Sequence, residues 1–140
     1  MRRVILDDQQ NVLSWVGGKI DAPTFAGDAK AIGWEVDGEL QGGVVFENWN
    51  GPNIYMHVAI NEGCVVTRSD LRIAFAYPFV QLKCNRITGL VRVDNRRAQR
   101  FDEHLGFRVE GRLRHAHADG TDMFVYGMVK EDCRWVGVTK

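Results

Sequence analysis

The sequence has no surplus charge of either sign and few cysteines. Its 140 residues include 18 basic and 18 acidic side chains, so the formal net charge is zero. Nucleic-acid-binding domains usually carry a basic surface, so no nucleic-acid partner is expected.

The three cysteines, Cys64, Cys84 and Cys133, form no C-x-x-C pair. Their odd number argues against a disulfide framework or a zinc ribbon and predicts free thiols in a reducing cytoplasm.

Long apolar runs, linkers and repeats are also lacking. No stretch approaches the roughly 18 apolar residues of a membrane-spanning helix, so no membrane contact is expected. The start, MRRVILDDQQ, has too short an apolar core for a signal peptide. No low-complexity tract divides the chain. We therefore predict a single cytoplasmic domain over residues 1–140.

The first sixty residues show one helix pattern followed by strand patterns. Apolar side chains within residues 12–16 predict a helix that ends at Gly17–Gly18. Asp37–Gly38 predicts a hairpin between AIGWEV and ELQGGVVFE. Asn50–Gly51–Pro52 predicts a turn into a further strand, NIYMHVAI. The expected arrangement is an antiparallel meander.

The pattern then changes to helical spacing, with apolar side chains over residues 71–82. Thr67 and Asp70 form a capping-box pattern, so we begin this helix at Thr67. Pro78 predicts a kink or an end near Tyr77, because an interior proline removes a hydrogen bond and clashes with the preceding turn.

A strand, RITGLVRV, precedes a second amphipathic helix. Ala98, Phe101 and Leu105 share one face of this helix. Asp94 or Asn95 can cap its start. A glycine after Leu105 favours a left-handed helix end.

The last elements are two strands joined by a turn. Residues 107–114 alternate between apolar and polar side chains, as in a half-buried strand. Asp119–Gly120 turns the chain into the last strand, TDMFVYGMVKE. A strand–helix–strand unit earlier in the chain implies a right-handed crossover and a partly parallel sheet. The fold class is therefore α/β or α+β with a mixed sheet.

A longer motif covers the last third of the chain. The spacing N-x-x-A-x-x-F-x-x-x-L-G-F-x-x-E-G runs from Asn95 to Gly111, and RHAHADGTDMFVYGM and DCRW follow it. With the element order, these residues resemble the GCN5-related N-acetyltransferase family, most closely its ribosomal-protein N-terminal acetyltransferase branch. The match is sharp over residues 86–135 and topological elsewhere. The resemblance implies a mostly antiparallel sheet flanked by helices, with a V-shaped splay between strands 4 and 5. It also implies direct transfer of an acetyl group from acetyl-coenzyme A to a primary amine.

The resemblance also implies where acetyl-coenzyme A (acetyl-CoA) binds. Its pantetheine arm would lie between the splayed strands, and its pyrophosphate at the N-terminus of the helix that begins at Thr67. The family's loop at this helix is rich in glycine, whereas this chain has CVVTRSDLR. Arg96, Arg97 and Arg100, on the helix that follows RITGLVRV, suit phosphate recognition. The implied cofactor-binding residues are Val58, Ile60, Arg68, Ser69, Asp70, Leu71, Arg72, Asn95, Arg100 and Phe101.

Amine acetylation needs a route for the amine's proton and a proton for the departing thiolate. His57 is the first candidate base, because histidine changes charge near neutral pH, and Glu47 is the second. Both also have a structural interpretation, as a strand histidine and a solvated strand-end carboxylate. The family often has a tyrosine at Phe101 that protonates the thiolate. Tyr126 is a candidate replacement, or a core tyrosine with a hydrogen-bonded hydroxyl.

Several alternatives stay open. His115 and His117 share a strand face, but no further ligands complete a set, so no metal is expected. The acceptor is a small-molecule or peptide amine: a protein N-terminus, a lysine, a polyamine or an aminoglycoside. A homodimer is also left open. Phe101 and the glycine-free loop suggest a second function, a non-catalytic acyl-CoA-binding module of the same fold. A structural domain without a cofactor is the third.

Overall fold

The computed structural model describes residues 1–20 and 24–136. Its seven strands form one sheet in the order β1-β2-β3-β4-β5-β7-β6. The strands are β1 (Arg2–Ile5), β2 (Lys30–Val36), β3 (Glu39–Glu47), β4 (Asn53–Ile60), β5 (Arg86–Arg92), β6 (Arg108–Leu113) and β7 (Met123–Val129), and the α-helices are α1 (Gln9–Ile20), α2 (Arg68–Ala76) and α3 (Arg96–Leu105). Neighbouring strands are antiparallel except for β4 and β5, which are parallel. The predicted mixed sheet is confirmed. No helix in the described ranges is long and apolar enough to cross a membrane.

Helices cover both faces of the sheet. On one face, Val12 and Val16 of α1 pack with Val45 of β3. On the other, Phe75 of α2 and Leu105 of α3 belong to the larger of the two buried apolar clusters. Side chains that alternate along a strand therefore point either to α1 or to α2 and α3. This division decides which catalytic candidates can meet.

The predicted end of α1 at Gly17–Gly18 is wrong, because the helix continues to Ile20. Val12 and Val16 are fully buried against strand glycines. A Cβ atom at Gly33 would lie 2.8 Å from a methyl carbon of Val12, and one at Gly43 would lie 2.7 Å from a methyl carbon of Val16. The close packing of α1 on the backbone of these two strand glycines stabilises the helix by more than the roughly 1 kcal/mol that each glycine within a helix costs.

The predicted turns and caps are confirmed at four places. Asp37 and Gly38 have φ values of 52° and 87°, as a two-residue hairpin loop requires. Thr67 and Asp70 form the reciprocal capping box of α2. Gly106 ends α3 with φ 115°. The α-helix before Pro78 ends at Ala76, and a π-helical turn, Tyr77–Gln81, follows it.

The prediction that residues 107–114 form a half-buried strand is wrong for β6. All six residues of β6 are exposed, although Phe107 just before it is buried. β6 is the last strand in the sheet order, and its pairing with β7 shifts register between Val109 and Gly111. The alternating pattern therefore reflects an edge strand with a bulge, whose apolar side chains no helix covers.

Candidate functional site

The parallel strands β4 and β5 separate soon after they meet. They pair at three positions only, Asn53 with Arg86, Ile54 with Ile87 and Tyr55 with Thr88. Both strands then continue, β4 as far as Ile60 and β5 as far as Arg92. Beyond Tyr55 and Thr88 the facing edges have no partner strand in the described part of the chain, so backbone N–H and C=O groups there can pair with a ligand; the Ile60 carbonyl is the exception, since it accepts a hydrogen bond from Arg97. The predicted V-shaped splay between strands 4 and 5 is confirmed.

The splay opens into a cleft of about 1110 Å³. Both strands, the loop after β4, helix α3 and the loop between β6 and β7 contribute to its walls. A cleft of this size can hold a ligand larger than most drug-like molecules. The lining includes seven of the sequence-predicted site residues: His57, Val58, Ile60, Leu71, Asn95, Arg100 and Phe101.

The cleft is basic although the whole chain is neutral. Four lysine or arginine residues line it against two carboxylates, Glu62 and Asp102, and three of the four remain once Arg92, which is ion-paired with Asp94 and Asp119, is set aside. The basic residues are Lys19, Arg92, Arg97 and Arg100. Arg97 also donates a hydrogen bond from Nη2 to the carbonyl oxygen of Ile60, at 3.2 Å, so it joins α3 to the end of β4. A local excess of positive charge favours an anionic ligand.

The two candidate bases, His57 and Glu47, form one hydrogen-bonded pair. The Nε2 atom of His57 lies 2.6 Å from Oε2 of Glu47. The hairpin register places His57 opposite Val45 and Glu47 opposite Tyr55. The two side chains are therefore diagonal neighbours on the face that packs against α1. Their exposed fractions, 18% and 12%, make both partly shielded from water.

The surroundings of the pair fix its proton arrangement. Glu47 uses its other oxygen, Oε1, to accept a hydrogen bond from the Ala26 backbone N–H at 2.7 Å. The ring of Phe25 packs on His57 with centroids 5.5 Å apart. An ionised carboxylate only accepts hydrogen bonds, so we assign the proton of neutral His57 to Nε2. Nδ1 is then the nitrogen that can accept a proton, and Glu47 holds the ring in place.

Tyr126 does not reach the cleft. Its side chain is buried, and its hydroxyl donates a hydrogen bond to Oε2 of Glu103 at 2.8 Å. Burial, followed by the hydrogen bond to Glu103, raises the pKa of Tyr126 above its ordinary value. This arrangement is that of a core tyrosine with a satisfied hydroxyl.

The first turn of α2 is largely occupied by contacts within the protein. The Thr67 N–H donates to Oδ2 of Asp70 at 2.9 Å, and the Asp70 N–H donates to Oγ1 of Thr67 at 3.1 Å. Asp70 is buried and also forms an ion pair with Arg2. The Arg68 guanidinium lies over the Trp135 ring, 5.6 Å from its centroid. Arg68, Ser69, Asp70 and Arg72 lie outside the cleft lining, whereas Leu71 belongs to it.

Asn95 caps helix α3 and also lines the cleft. Its Oδ1 accepts a hydrogen bond from the Ala98 N–H at 3.1 Å, which caps α3. The same residue lines the cleft. This places the start of α3, where the first N–H groups have no partner within the helix, at the wall of the cleft.

Asp102 is a cleft residue that the sequence interpretation missed. Its Oδ2 lies 4.0 Å from the position that a Cβ atom would take at Gly89 of β5. Burial, followed by the charge of neighbouring Glu103, raises the pKa of Asp102 to about 7. The signal was present in the sequence, because position 102 falls within the helical face marked by Ala98 and Leu105. A carboxylate on an otherwise apolar helix face indicates a special environment.

The two histidines of the β6–β7 loop, His115 and His117, are hydrogen-bonded within that loop. Nδ1 of His115 lies 2.9 Å from the carbonyl oxygen of Gly120, and Nδ1 of His117 lies 3.0 Å from a carboxylate oxygen of Asp119. Within residues 1–20 and 24–136, no group of three histidine, cysteine or acidic side chains is arranged to hold a metal ion. His117 nevertheless contributes to the cleft wall.

The comparisons with known proteins rest on structure. No family model and no curated protein matches the sequence. A probable acetyltransferase matches with a TM-score of 0.70 and 17% identity, over 93% of both chains. A mutant of the spermidine N-acetyltransferase SpeG from Vibrio cholerae matches with a TM-score of 0.71 and 15% identity, over 98% of this chain and 96% of that one. The ribosomal-protein-S5-alanine acetyltransferase from Vibrio fischeri matches with a TM-score of 0.70 and 13% identity, over 95% of both chains. With the splayed parallel strands, these likenesses show that the chain has the fold of the GCN5-related N-acetyltransferases.

Proposed function

We propose that the chain is an acetyl-CoA-dependent N-acetyltransferase that acts on a primary amine. The observation that carries this proposal is the combination of the β4–β5 cleft with His57, which lines it and is hydrogen-bonded to Glu47. An extended thioester donor could lie in the cleft while its reactive end lies near a proton acceptor. Proximity of this kind supplies much of the rate enhancement in a group transfer between two bound substrates.

The cleft residues fit the chemistry of acetyl-CoA. Free backbone groups on the edges of β4 and β5 can pair with the amides of the pantetheine arm. Gly89 lies where the strands separate and has no side chain to fill the space. Arg97 and Arg100 add positive charge for the phosphate groups. The donor is therefore accommodated without a glycine-rich loop before α2.

The transfer would proceed by direct attack. The amine nitrogen forms a bond to the thioester carbonyl carbon, and the carbon–sulfur bond breaks. Nδ1 of His57 takes the proton that the amine loses, while Glu47 keeps the imidazole oriented. A free strand N–H close to the thioester would polarise its carbonyl and stabilise the developing negative charge.

The acceptor would approach from the α1 side of the sheet. His57 faces that side, and Lys19 and Ile20 at the end of α1 also line the cleft. We propose a small-molecule or peptide amine as the acceptor. Two structural neighbours are named for amine substrates, spermidine in one case and an alanine of a ribosomal protein in the other. The free Cys64, Cys84 and Cys133 thiols are consistent with a cytoplasmic enzyme.

Release of free coenzyme A from acetyl-CoA, measured across a panel of amines, tests the proposal. The panel should contain a polyamine, an aminoglycoside, free lysine and peptides with unblocked N-termini. We expect amine-dependent thiol release with at least one member and a matching acetylated product by mass spectrometry. Binding of acetyl-CoA without release would instead favour the non-catalytic acyl-CoA-binding module, which Phe101 in the cleft also suggests. Absence of binding would exclude both functions.

A further inference from the structure

Asp102 lies at the point where β4 and β5 separate. The position that a Cβ atom would take at Gly89 is 4.0 Å from Oδ2 of Asp102 and 3.7 Å from the carbonyl oxygen of Met56. His57 follows Met56 directly in β4 and points to the opposite face of the sheet. Asp102 and His57 therefore approach the same part of the cleft from opposite sides.

Within the described residues, the Asp102 carboxyl group has no hydrogen-bond or ion-pair partner, unlike the neighbouring carboxylates. Glu103 accepts a hydrogen bond from Tyr126, and Glu110 pairs with Arg86. Among residues 1–20 and 24–136, no side-chain hydrogen bond or ion pair to the Asp102 carboxyl group is formed. A partly buried carboxyl group without a partner is unfavourable for folding, so its retention in a cleft indicates a functional role.

Two aromatic residues near this position cannot supply the proton. Phe101 carries no dissociable proton, and the Tyr126 hydroxyl is engaged by Glu103 outside the cleft. His57 takes up the amine's proton on the other face. Direct transfer nevertheless produces a thiolate that a nearby acid would stabilise by protonation.

We propose that Asp102 is the acid that protonates the departing coenzyme A thiolate. This inference rests on the proposed function. Asp102 begins the step as the neutral carboxylic acid. As the carbon–sulfur bond breaks, sulfur keeps the electron pair and receives the Asp102 proton. The amine's proton leaves through His57, and solvent returns both groups to their starting states. No oxidation or reduction occurs.

The electrostatic surroundings of Asp102 support this role. Burial and the charge of Glu103 raise its pKa from the ordinary 3.8 to about 7, so a large fraction is protonated at neutral pH. Glu103 on α3 and Tyr126 on β7 interact electrostatically with Asp102. The titratable and charged groups that line the same cleft on the elements around it are Arg100 and His104 on α3, His57 on β4, Arg92 on β5 and His117 on the β6–β7 loop.

The first test is the pH profile of turnover. The acid must be protonated, so kcat of the wild-type protein should fall as pH rises through about 7. Asp102→Asn keeps the shape of the side chain but removes the proton. We expect kcat to fall roughly 100-fold or more, with loss of the alkaline limb. A change of only a few-fold, or a large loss with the alkaline limb intact, would overturn the proposal.

Glu103→Gln is the matched control. Its amide oxygen can still accept the hydrogen bond from Tyr126, and Glu103 does not line the cleft. Turnover at low pH should be retained. The alkaline limb should move to lower pH, because the charge that helps raise the pKa of Asp102 is removed. An alkaline limb that does not move would assign it to another group and overturn the proposal.

A second readout needs no activity. The folded state holds the Asp102 proton up to a higher pH than the unfolded state does, so Asp102 lowers stability as pH rises from about 4 to 7. The melting temperature of Asp102→Asn should therefore rise relative to wild type between pH 5 and pH 8. A constant difference would contradict the raised pKa and overturn the proposal. If the wild type transfers no acetyl group to any amine, the proposed function fails first, and the acid role falls with it.

Discussion

In the proposed transfer, the hydrogen bond between His57 and Glu47 determines which imidazole nitrogen takes the proton. Because Glu47 occupies Nε2, proton transfer must use Nδ1. The ring of Phe25 limits rotation of the imidazole about this contact. The sequence indicated His57 and Glu47 as two separate candidate bases. In the structure both oxygens of Glu47 accept hydrogen bonds, and His57 keeps Nδ1 to accept a proton.

His57→Gln should remove the base. We expect kcat to fall roughly 100-fold or more, with loss of the acid limb of the pH profile, because the imidazole must be neutral to accept a proton. Steady-state kinetics between pH 5.5 and 9 would measure both effects. His115→Asn is the control, since His115 lies on the β6–β7 loop outside the cleft and asparagine tolerates its positive φ of 58°. A loss of only a few-fold in His57→Gln, with the acid limb preserved, would show that solvent takes the proton.

Glu47→Gln should act through His57. The glutamine amide can donate to Nε2 and so favour the wrong tautomer, which lowers kcat more than it changes KM. In the double variant, kcat should be no lower than in His57→Gln alone, because the two residues work as a unit. Measured kcat values for both single variants and the double variant form the required cycle. Additive losses would mean that Glu47 contributes independently of His57.

At the scale of elements, α1 depends on glycines in the strands below it. Gly33 and Gly43 carry no side chain where Val12 and Val16 contact the sheet. This proximity explains why α1 continues through its own two glycines. Local sequence patterns cannot show this effect, because the strand glycines are distant from α1 in the sequence.

Substitutions in α1 and β3 should therefore have opposite effects. Gly43→Ala should lower the free energy of unfolding by about 1–3 kcal/mol, since its Cβ would overlap Val16. Gly18→Ala should raise it by up to about 1 kcal/mol, because the position is helical, exposed and free of neighbours within 4 Å. Urea unfolding at constant m-value measures both. Stabilisation by Gly43→Ala would contradict the close packing of α1.

Other elements were predicted correctly where the signal is local. The Asp37–Gly38 hairpin, the Thr67 capping box and the end of α3 at Gly106 each depend on a few adjacent residues. β6 was wrongly predicted as half-buried because alternation does not reveal whether a helix covers one face. Its position at the sheet edge follows from the order of all seven strands.

At the scale of the whole molecule, the site depends on the arrangement of distant segments. The motif over residues 95–111 indicated the fold and the start of α3, and the structure confirms that fold. It did not indicate that Asp102 and Gly89 meet, because α3 packs back onto β5 only in the folded sheet. The Glu47–His57 contact likewise depends on the register of β3 and β4.

The uneven distribution of charged side chains is also a property of the whole molecule. The chain has equal numbers of acidic and basic residues, yet the cleft has an excess of positive charge. Net charge therefore gave no indication of an anionic ligand. The separation of charge becomes visible only when α3, β5 and the end of α1 are placed around one cleft.

The central claim, that acetyl-CoA binds in the β4–β5 cleft, is tested most directly by its effect on thermal stability. At about 100 times its dissociation constant, acetyl-CoA should stabilise the protein by roughly 2.7 kcal/mol, seen as a concentration-dependent rise in melting temperature. ADP, which lacks the pantetheine arm, should give a much smaller rise at equal concentration. An unchanged melting temperature at millimolar acetyl-CoA, or an equal rise with ADP, would contradict binding of the donor between the splayed strands.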